Sequence, residues 1–511
     1  MPFQPHLALI LAIPALAAEC GRAPRGFAPL DDPFYLSHSG AAEGGLYPGG
    51  RNAAPVALRT LMQRAAASIQ PLDAAGSPAA NGRVVLLSAG MSNTTQEFSA
   101  FLNLLRVLPG RHPQLTAVDG AQGGWSVERI LAEPGPYWTE VERRLRAAGA
   151  APAQVQTVWM KQAHAGPNRP FPENARRLEA DLREFVREHK RRLPNLQIVY
   201  LSSRIYAGYA ASTLNPEPHA YESGFAVKWL IESQLSGDAG PAGMPVMAWG
   251  PYLWADGLNM RDDGLVWTCA DFAEDGTHPS EQARTKVARM LLDFFLAEQT
   301  ARPWFLAPAA SAPAARIAAV VNAASGSKPV ANGSIASIYG SNLARAAEAA
   351  TTLPLPTSLG GASVLVEGVA APLYYASPTQ INFVMSKMGG KVTVVRDGVA
   401  WDSVDLEAAL YAPGIFTSAG AAAVRIVGDV VEVYATGFGV RHPLMLRPDN
   451  LPAAALNGQR AEVLYSGPAP GWPGLNQLNF RIPYGAPRGV PLPLSIAFGS
   501  SESNRATLTL P

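Results

Sequence analysis

Between about residues 80 and 300, short apolar runs alternate with segments whose apolar residues recur every three or four positions. The runs at 83–88, 115–118, 155–160, 196–201 and 245–249 read as strands. The segments near 97–108, 137–148, 173–191 and 221–235 read as helices, and Leu178, Leu182, Phe185 and Val186 share one face of the third. Alternation of this kind folds into a parallel sheet with helices on both sides. Ligands in such sheets bind beyond the carboxyl ends of the strands, so the segments that follow each strand are where chemistry belongs.

The texture changes beyond residue 300. Residues 301–315, rich in Ala and Pro, read as a linker. From 316 to 511 Gly, Pro, Val and Ala dominate, helical periodicity is lost and short strands are separated by turns, which predicts all-β, Ig-like sandwich structure. A weak internal repeat runs through this part. Ala362–Val366 leading to Gln380-Ile381-Asn382-Phe383 is echoed by Ala461–Tyr465 leading to Gln477-Leu478-Asn479-Phe480. Two related β units, or one duplicated sandwich, would produce that echo.

A chain of 511 residues with 48% hydrophobic and 16% charged residues is globular and too long for one core. A net charge of +1, without a basic block, argues against nucleic acid as a partner. Two cysteines, Cys20 and Cys269, exclude a disulfide scaffold and a cysteine-rich metal site. The histidines show no metal-ligand spacing, so neither metal nor organic cofactor is expected. The apolar stretch 7–17 is too short to span a bilayer and suits a signal-peptide core, with Ala15-Leu16-Ala17 as a cleavage site and no Lys or Arg ahead of it. The expected order is a signal peptide (1–18), an N-terminal strap (19–80), an α/β domain (81–300), the linker and the β region. The mature protein is then secreted or periplasmic, with no transmembrane segment.

Asp275-Gly276-Thr277-His278-Pro279-Ser280 precedes a helix whose face carries Ala283, Val287, Met290, Leu291 and Phe294, with Ser280 as its N-cap. A carboxylate three residues before a histidine can accept from Nδ1, leaving Nε2 free to take a proton from a nucleophile. Upstream, the strand at 83–88 runs through Ala89-Gly90-Met91 to Ser92, where Gly90 permits a tight turn into a helix. Ser92 follows the first strand and His278 the last, so both fall on the same sheet edge. Taken alone, Ser92 reads equally as a turn serine or helix cap. The distant Asp–His motif favours a nucleophile.

These residues resemble the SGNH/GDSL hydrolase superfamily over roughly residues 80–298. Gly90-Met91-Ser92-Asn93 is similar to the Gly-x-Ser-Asn form of its first block, seen in carbohydrate acetylesterases, and Asp275-x-x-His278 to its last. The resemblance implies a flavodoxin-like three-layer α/β/α domain and a Ser92–His278–Asp275 triad. It also implies an oxyanion hole that includes Gly124 (or Gly123) from the 118–126 segment. His164 stands where the family has an asparagine, with Gln162 as the other candidate donor. Asn322–Ser325, Gly333–Ser341, Ser377–Phe383 and Ala412–Phe416 resemble a β-rich module at the end of many exported bacterial proteins.

The expected activity is hydrolysis of O-acyl esters, with O-acetyl esters on carbohydrate as the favoured class, as Trp125, Trp249, Trp254 and Trp267 fall near the active edge and suit stacking on sugar rings. The β tail is expected to bind carbohydrate or a cell surface. The alternatives are a lipase- or thioesterase-type acyl hydrolase, and a non-catalytic binding protein on a degenerate hydrolase scaffold. Cys269, near the catalytic loop, reads as a structural thiol or a bridge to Cys20.

Overall fold

A computed structural model describes residues 26–32, 44–108, 110–236, 243–307, 313–385, 389–397, 399–406, 408–439 and 452–511. The expected signal segment and Cys20 lie outside the described residues. The chain divides into two compact units, an α/β unit ending near residue 312 and a β unit formed chiefly by 313–511.

The α/β unit is built on five parallel strands: β1 (Val84–Gly90), β2 (Leu115–Asp119), β3 (Val155–Lys161), β4 (Ile198–Leu201) and β5 (Val246–Trp249). They lie in the order β2-β1-β3-β4-β5. This is one of the two common doubly wound orders, and the chain reverses direction across the sheet between β1 and β3. Every residue of β1 and β3 is buried, as strands covered on both faces require. Between and after them run α1 (Val56–Ala67), α2 (Ser92–Arg106), α3 (Val127–Ala132), α4 (Pro134–Ala147), α5 (Glu173–Arg192), α6 (His219–Leu235), α7 (Glu281–Ala297) and α8 (Arg302–Phe305). α5 buries the four residues that its periodicity puts on one face, and Arg183 and Arg192 pair back to Glu179 and Glu188 one turn earlier. No helix among the described residues is long and apolar enough to cross a membrane.

Three sequence expectations need correction here. α2 begins at Ser92, well before the apolar run that suggested it, because its first two turns bury polar side chains: Asn93, Thr94 and Glu97 are each at most 1% exposed. α3 has only Val127 and Ile130 to bury and leaves too short an apolar pattern to see. Residues 301–306 belong to the α/β unit and not to a linker. Ala301, Trp304 and Phe305 are buried, and the backbone of Phe305 accepts from His112 N–H.

The described part of the strap also belongs to this unit. Trp249 Nε1 donates to Leu46 O, Lys228 Nζ to Gly44 O, Tyr221 Oη to Ala28 O, and Gly26 N–H to the Asp256 carboxylate. Side chains from β5, α6 and the segment after β5 thus satisfy an irregular backbone.

The β unit contains antiparallel sheets and two main apolar cores, one from Ala315 to Leu406 and one from Ile415 to Leu510. Each half of the internal repeat supplies one core. The repeat is real in structure but shifted from its sequence alignment. In the first copy, strand Gln380–Val384 pairs with Leu373–Ala376, with a bulge that sets Leu373 opposite Phe383 and Tyr375 opposite Asn382. In the second, Asn476–Arg481 pairs with Gln459–Pro468, with a bulge that sets Val463 opposite Phe480 and Tyr465 opposite Asn479. Tyr465 therefore corresponds to Tyr375 and not to Val366, because strand Ala362–Val366 pairs elsewhere, with Gly390–Arg396.

Candidate active site

β1 ends at Gly90, whose backbone is packed so closely that an added Cβ would lie 2.2 Å from Lys161 O and 2.3 Å from Thr94 Oγ1. Only glycine lets the chain pass this point and turn at once into α2. Ser92 is consequently the first residue of a helix of 15 residues, at the carboxyl edge of the sheet and at the point where strand order reverses. Thr95 N–H bonds to Met91 O, so the N–H groups of Ser92, Asn93 and Thr94 precede the intrahelical ladder. They and the helix dipole favour negative charge beside Ser92.

The 275–278 turn meets this helix end from a sequence separation of 186 residues. Ser92 Oγ lies 2.8 Å from His278 Nε2, and His278 Nδ1 lies 2.5 Å from Asp275 Oδ2. With Nδ1–H donating to the carboxylate, Nε2 is the acceptor for the serine hydroxyl. The other carboxylate oxygen, Oδ1, accepts from the backbone N–H groups of Thr277 and His278, 2.9 Å each. Burial pushes the Asp275 carboxyl up, but the hydrogen bonds from His278 and Thr277 and the charge of His278 outweigh it and hold Asp275 below the usual carboxylate range.

The turn is braced on three sides. Asn93 Nδ2 donates to Thr277 O at 3.0 Å, linking the residue after the serine to the residue before the histidine. Gly276 has φ +64, and an added Cβ would lie 1.9 Å from Tyr209 O; Ala211 N–H donates to Asp275 O. On the far side Ser280 caps α7, its Oγ accepting from Ala283 N–H. Cys269, at the start of the turn that leads into this loop, is in a disulfide, and the chain's other cysteine is Cys20.

Beneath Ser92 lies a polar layer that the sequence reading missed. Lys161, the last residue of β3, and Glu97, one turn into α2, form an ion pair with both side chains fully buried. Thr94 Oγ1 donates to Lys161 O at 2.7 Å. Asp119, at the end of β2, accepts from Ser88 Oγ at 2.5 Å and from Thr95 Oγ1. Burial raises the Glu97 and Asp119 carboxyls and lowers the Lys161 ammonium to about 8, against the attraction of their partners. The signal for this layer was the lysine directly after the apolar Val158-Trp159-Met160 run of a buried strand.

The remaining candidates divide. An added Cβ on Gly123 would sit 3.8 Å from Ser92 Cβ, whereas at Gly124 the nearest group is the Arg129 guanidinium, which also donates to Gly124 O. Gly123, not Gly124, is the glycine beside the serine. Gln162 braces the loop that carries it: Nε2 donates to Trp125 O, and Oε1 accepts from Ala163 N–H. His164 is buried with Nε2 2.7 Å from Asp181 Oδ2 on α5. Both side chains are thus committed to structural partners. Of the four tryptophans, Trp249, Trp254 and Trp267 are core residues at most 4% exposed. Trp125 alone is partly open, with Arg129 stacked 4.2 Å over its ring.

No family model matches the chain, and no curated protein does. Among solved structures, domains 5–6 of the S-layer protein SbsC are 11% identical, covering 39% of this chain and 98% of that one, with a TM-score of 0.17. A β-glucuronidase of Parabacteroides merdae is 12% identical, covering 73% of this chain and 53% of its own, with a TM-score of 0.16. An endo-fucoidan hydrolase of glycoside hydrolase family 107 is 10% identical, covering 73% and 63%, with a TM-score of 0.19. Likenesses this slight assign the chain to no family.

Proposed function

We propose that this protein is an exported serine esterase of SGNH type that hydrolyses O-acyl esters, with small acyl groups such as acetyl on carbohydrate as the favoured class. The observation that carries this reading is the continuous Ser92–His278–Asp275 hydrogen-bond relay. Ser92 Oγ attacks the ester carbonyl while His278 Nε2 takes its proton, and Asp275 stabilises the imidazolium. The proton then passes from His278 to the departing alcohol, and a water activated at the same Nε2 releases the acid and restores Ser92. Backbone N–H groups of Ser92 and Gly123 hold the developing oxyanion, aided by the N-terminus of α2.

The strand order of the sheet supports the SGNH-type reading of the fold. A disulfide at Cys269 supports export, because such bonds persist in oxidising compartments. The carbohydrate part rests on the resemblance alone, since three of the four tryptophans invoked for it are core residues. The rival of a binding protein on a dead scaffold calls for Ser92 and His278 to stand apart, and at 2.8 Å they do not.

The test is hydrolysis of p-nitrophenyl acetate by wild type beside Ser92→Ala, with circular dichroism to check the fold. The expected result is turnover by wild type and none above background in the variant. Equal rates, or no turnover by a folded wild type on acetyl, butyryl and octanoyl esters, would refute the esterase reading.

A further inference from the structure

The two copies of the internal repeat share more than the core requires. On the inward face of each central strand the kept residues are apolar: Ile381 and Phe383 in one copy, Leu478 and Phe480 in the other, all 0% exposed. Packing accounts for these. On the opposite face each copy keeps a glutamine and an asparagine two positions apart, and in each the glutamine Nε2 donates to the asparagine Oδ1 at 2.9 Å. Each keeps a tyrosine directly across from the glutamine, Tyr339 opposite Gln380 and Tyr434 opposite Gln477. Each also keeps a tyrosine across from the asparagine on the other side, Tyr375 and Tyr465, set there by a bulge at the same register. The neighbouring position on this face has diverged, from Ser337 to Glu432. The two copies have therefore drifted where they could and kept one polar–aromatic set on the face turned away from the two main cores, with the Tyr434 ring of the second copy also packed on a small apolar cluster of Ile335, Ala469 and Leu475.

The first copy shows how the set works. Asn382 is buried, and its Oδ1 also accepts from Ser337 Oγ at 2.9 Å, so it anchors the amide nitrogen of Gln380 from beneath. With Nε2 held, the half-buried Gln380 has its orientation fixed beside the Tyr339 ring. Tyr339, Gly340, Ser341, Thr379, Gln380 and Arg316 line a groove of about 530 Å³, within the size range of small-ligand sites. The chemistry on offer is an aromatic ring, an oriented carboxamide, hydroxyls and one cation. Aromatic rings cover the apolar C–H face of a sugar, and carboxamides both donate to and accept from its hydroxyls. One exposed arginine gives no polybasic track for a nucleic acid.

We propose that the Tyr339–Gln380 face is a polysaccharide-binding site and that the Tyr434–Gln477 face is its repeat-related second copy. Two such faces on one chain engage a polymer at two points, so the second contact forms at high effective concentration and losing either weakens the whole. This site is separate from the Ser92 chemistry and stands or falls without it.

Affinity electrophoresis of the full chain through gels containing soluble xylan, galactomannan, mixed-linkage glucan or polygalacturonate tests the proposal. Wild type should be retarded by at least one of the four. Gln380→Ala and Gln477→Ala should each weaken that retardation by about tenfold, as expected for one lost oriented hydrogen-bonding group, and the double variant should abolish it. All three variants should hydrolyse p-nitrophenyl acetate as wild type does. Saturation-transfer NMR on wild type with xylohexaose gives a reading that depends on no variant's folding, and sugar-ring protons should receive magnetisation. Absence of retardation in all four gels together with no saturation transfer overturns the proposal, as does a folded double variant retarded like wild type.

Discussion

The α/β unit and the β unit assemble their special residues in opposite ways. In the first, Ser92 and His278 are 186 residues apart and meet only because the sheet order returns both to one edge. In the second, Gln380 and Asn382, or Gln477 and Asn479, are two residues apart on one strand and need only the neighbouring strands of a local sheet. A site built by topology depends on the whole fold and on buried polar braces that hold its parts in register. A site built by repetition depends on three neighbouring strands of one sheet and can be lost or kept one copy at a time. Damage to the first should therefore be large and coupled, and damage to the second small and separable.

The strongest test of the coupled site is Asp275→Asn. Asparagine keeps the shape but removes the charge that stabilises the imidazolium, and its amide can force the wrong tautomer on His278. A fall on the order of 10⁴-fold in kcat is expected, with KM close to wild type and the fold retained by circular dichroism. A loss of under tenfold would mean that the carboxylate is only a turn former and would dissolve the contrast with the β unit. Because the native hydrogen bonds hold Asp275 below the usual carboxylate range, it stays ionised through mildly acid solution, and its share of stability should be lost only as pH falls through that lowered value.

The buried brace comes next. Lys161→Met leaves buried Glu97 without its hydrogen-bonded partner, with only the charges of Arg204 and Arg284 still favouring the carboxylate, and should destabilise the α/β unit by about 3–5 kcal/mol. Lys161→Met with Glu97→Leu removes the pair, leaves buried Arg204 with Glu217, and should recover much of that loss, read in calorimetry as the transition of the α/β unit. If the double variant were as unstable as the single one, the pair would not be the link between β3 and α2. In the β unit, Phe383→Ala and Phe480→Ala each open a cavity in a separate core, each at a cost of about 3–5 kcal/mol. Their effects should add, since the two cores share no residues.

What the sequence could and could not disclose follows the same division. Strands such as β1 and β4 were legible because a sheet covered on both faces favours unbroken apolar runs, and Val84–Leu87 and Ile198–Leu201 supply them. Ser92, Asp275 and His278 were legible as candidates because a carboxylate three residues before a histidine, and a serine just after a glycine turn at a strand end, are local patterns; the fold brings them within 2.8 and 2.5 Å of one another. The start of α2 was not, because Asn93, Thr94 and Glu97 are buried for their hydrogen bonds and carry no apolar period. Trp249, Trp254 and Trp267 were misread because position along the chain cannot tell the rim of a sheet from the core behind it. The repeat was found but misaligned, since one long strand in the second copy does the work of two in the first.

Asn93→Ala probes the brace nearest the serine. The change removes the bond to Thr277 O and leaves that carbonyl short of a donor, at a cost of about 1–3 kcal/mol. If Asn93 positions the histidine turn, much of this should appear in kcat, about 10- to 100-fold, with KM little changed. A loss confined to the melting temperature would make it a structural residue only.

The smallest effect separates the units by pH. His189 on α5 is fully buried, edge-on to Trp138 and Phe185, and bonded through Nδ1 to Phe185 O. Burial lowers its pKa to about 4, against the Phe185 carbonyl and Glu188, which raise it. The unfolded chain takes up a proton near the ordinary value of about 6.5 while the folded one does not, so stability is present above that value and drains as pH falls through it toward 4. Between pH 7.5 and 5.5 the loss should be about 1 kcal/mol, seen as a shift of the α/β transition that a non-titrating His189→Asn variant lacks. The β unit has one histidine, His442, which lies outside the described residues, and no described histidine of its own to impose such a slope. Its transition should hold steadier over the same window, and equal shifts in both would show that the acid response is carried by groups common to the two units and not by the buried imidazole.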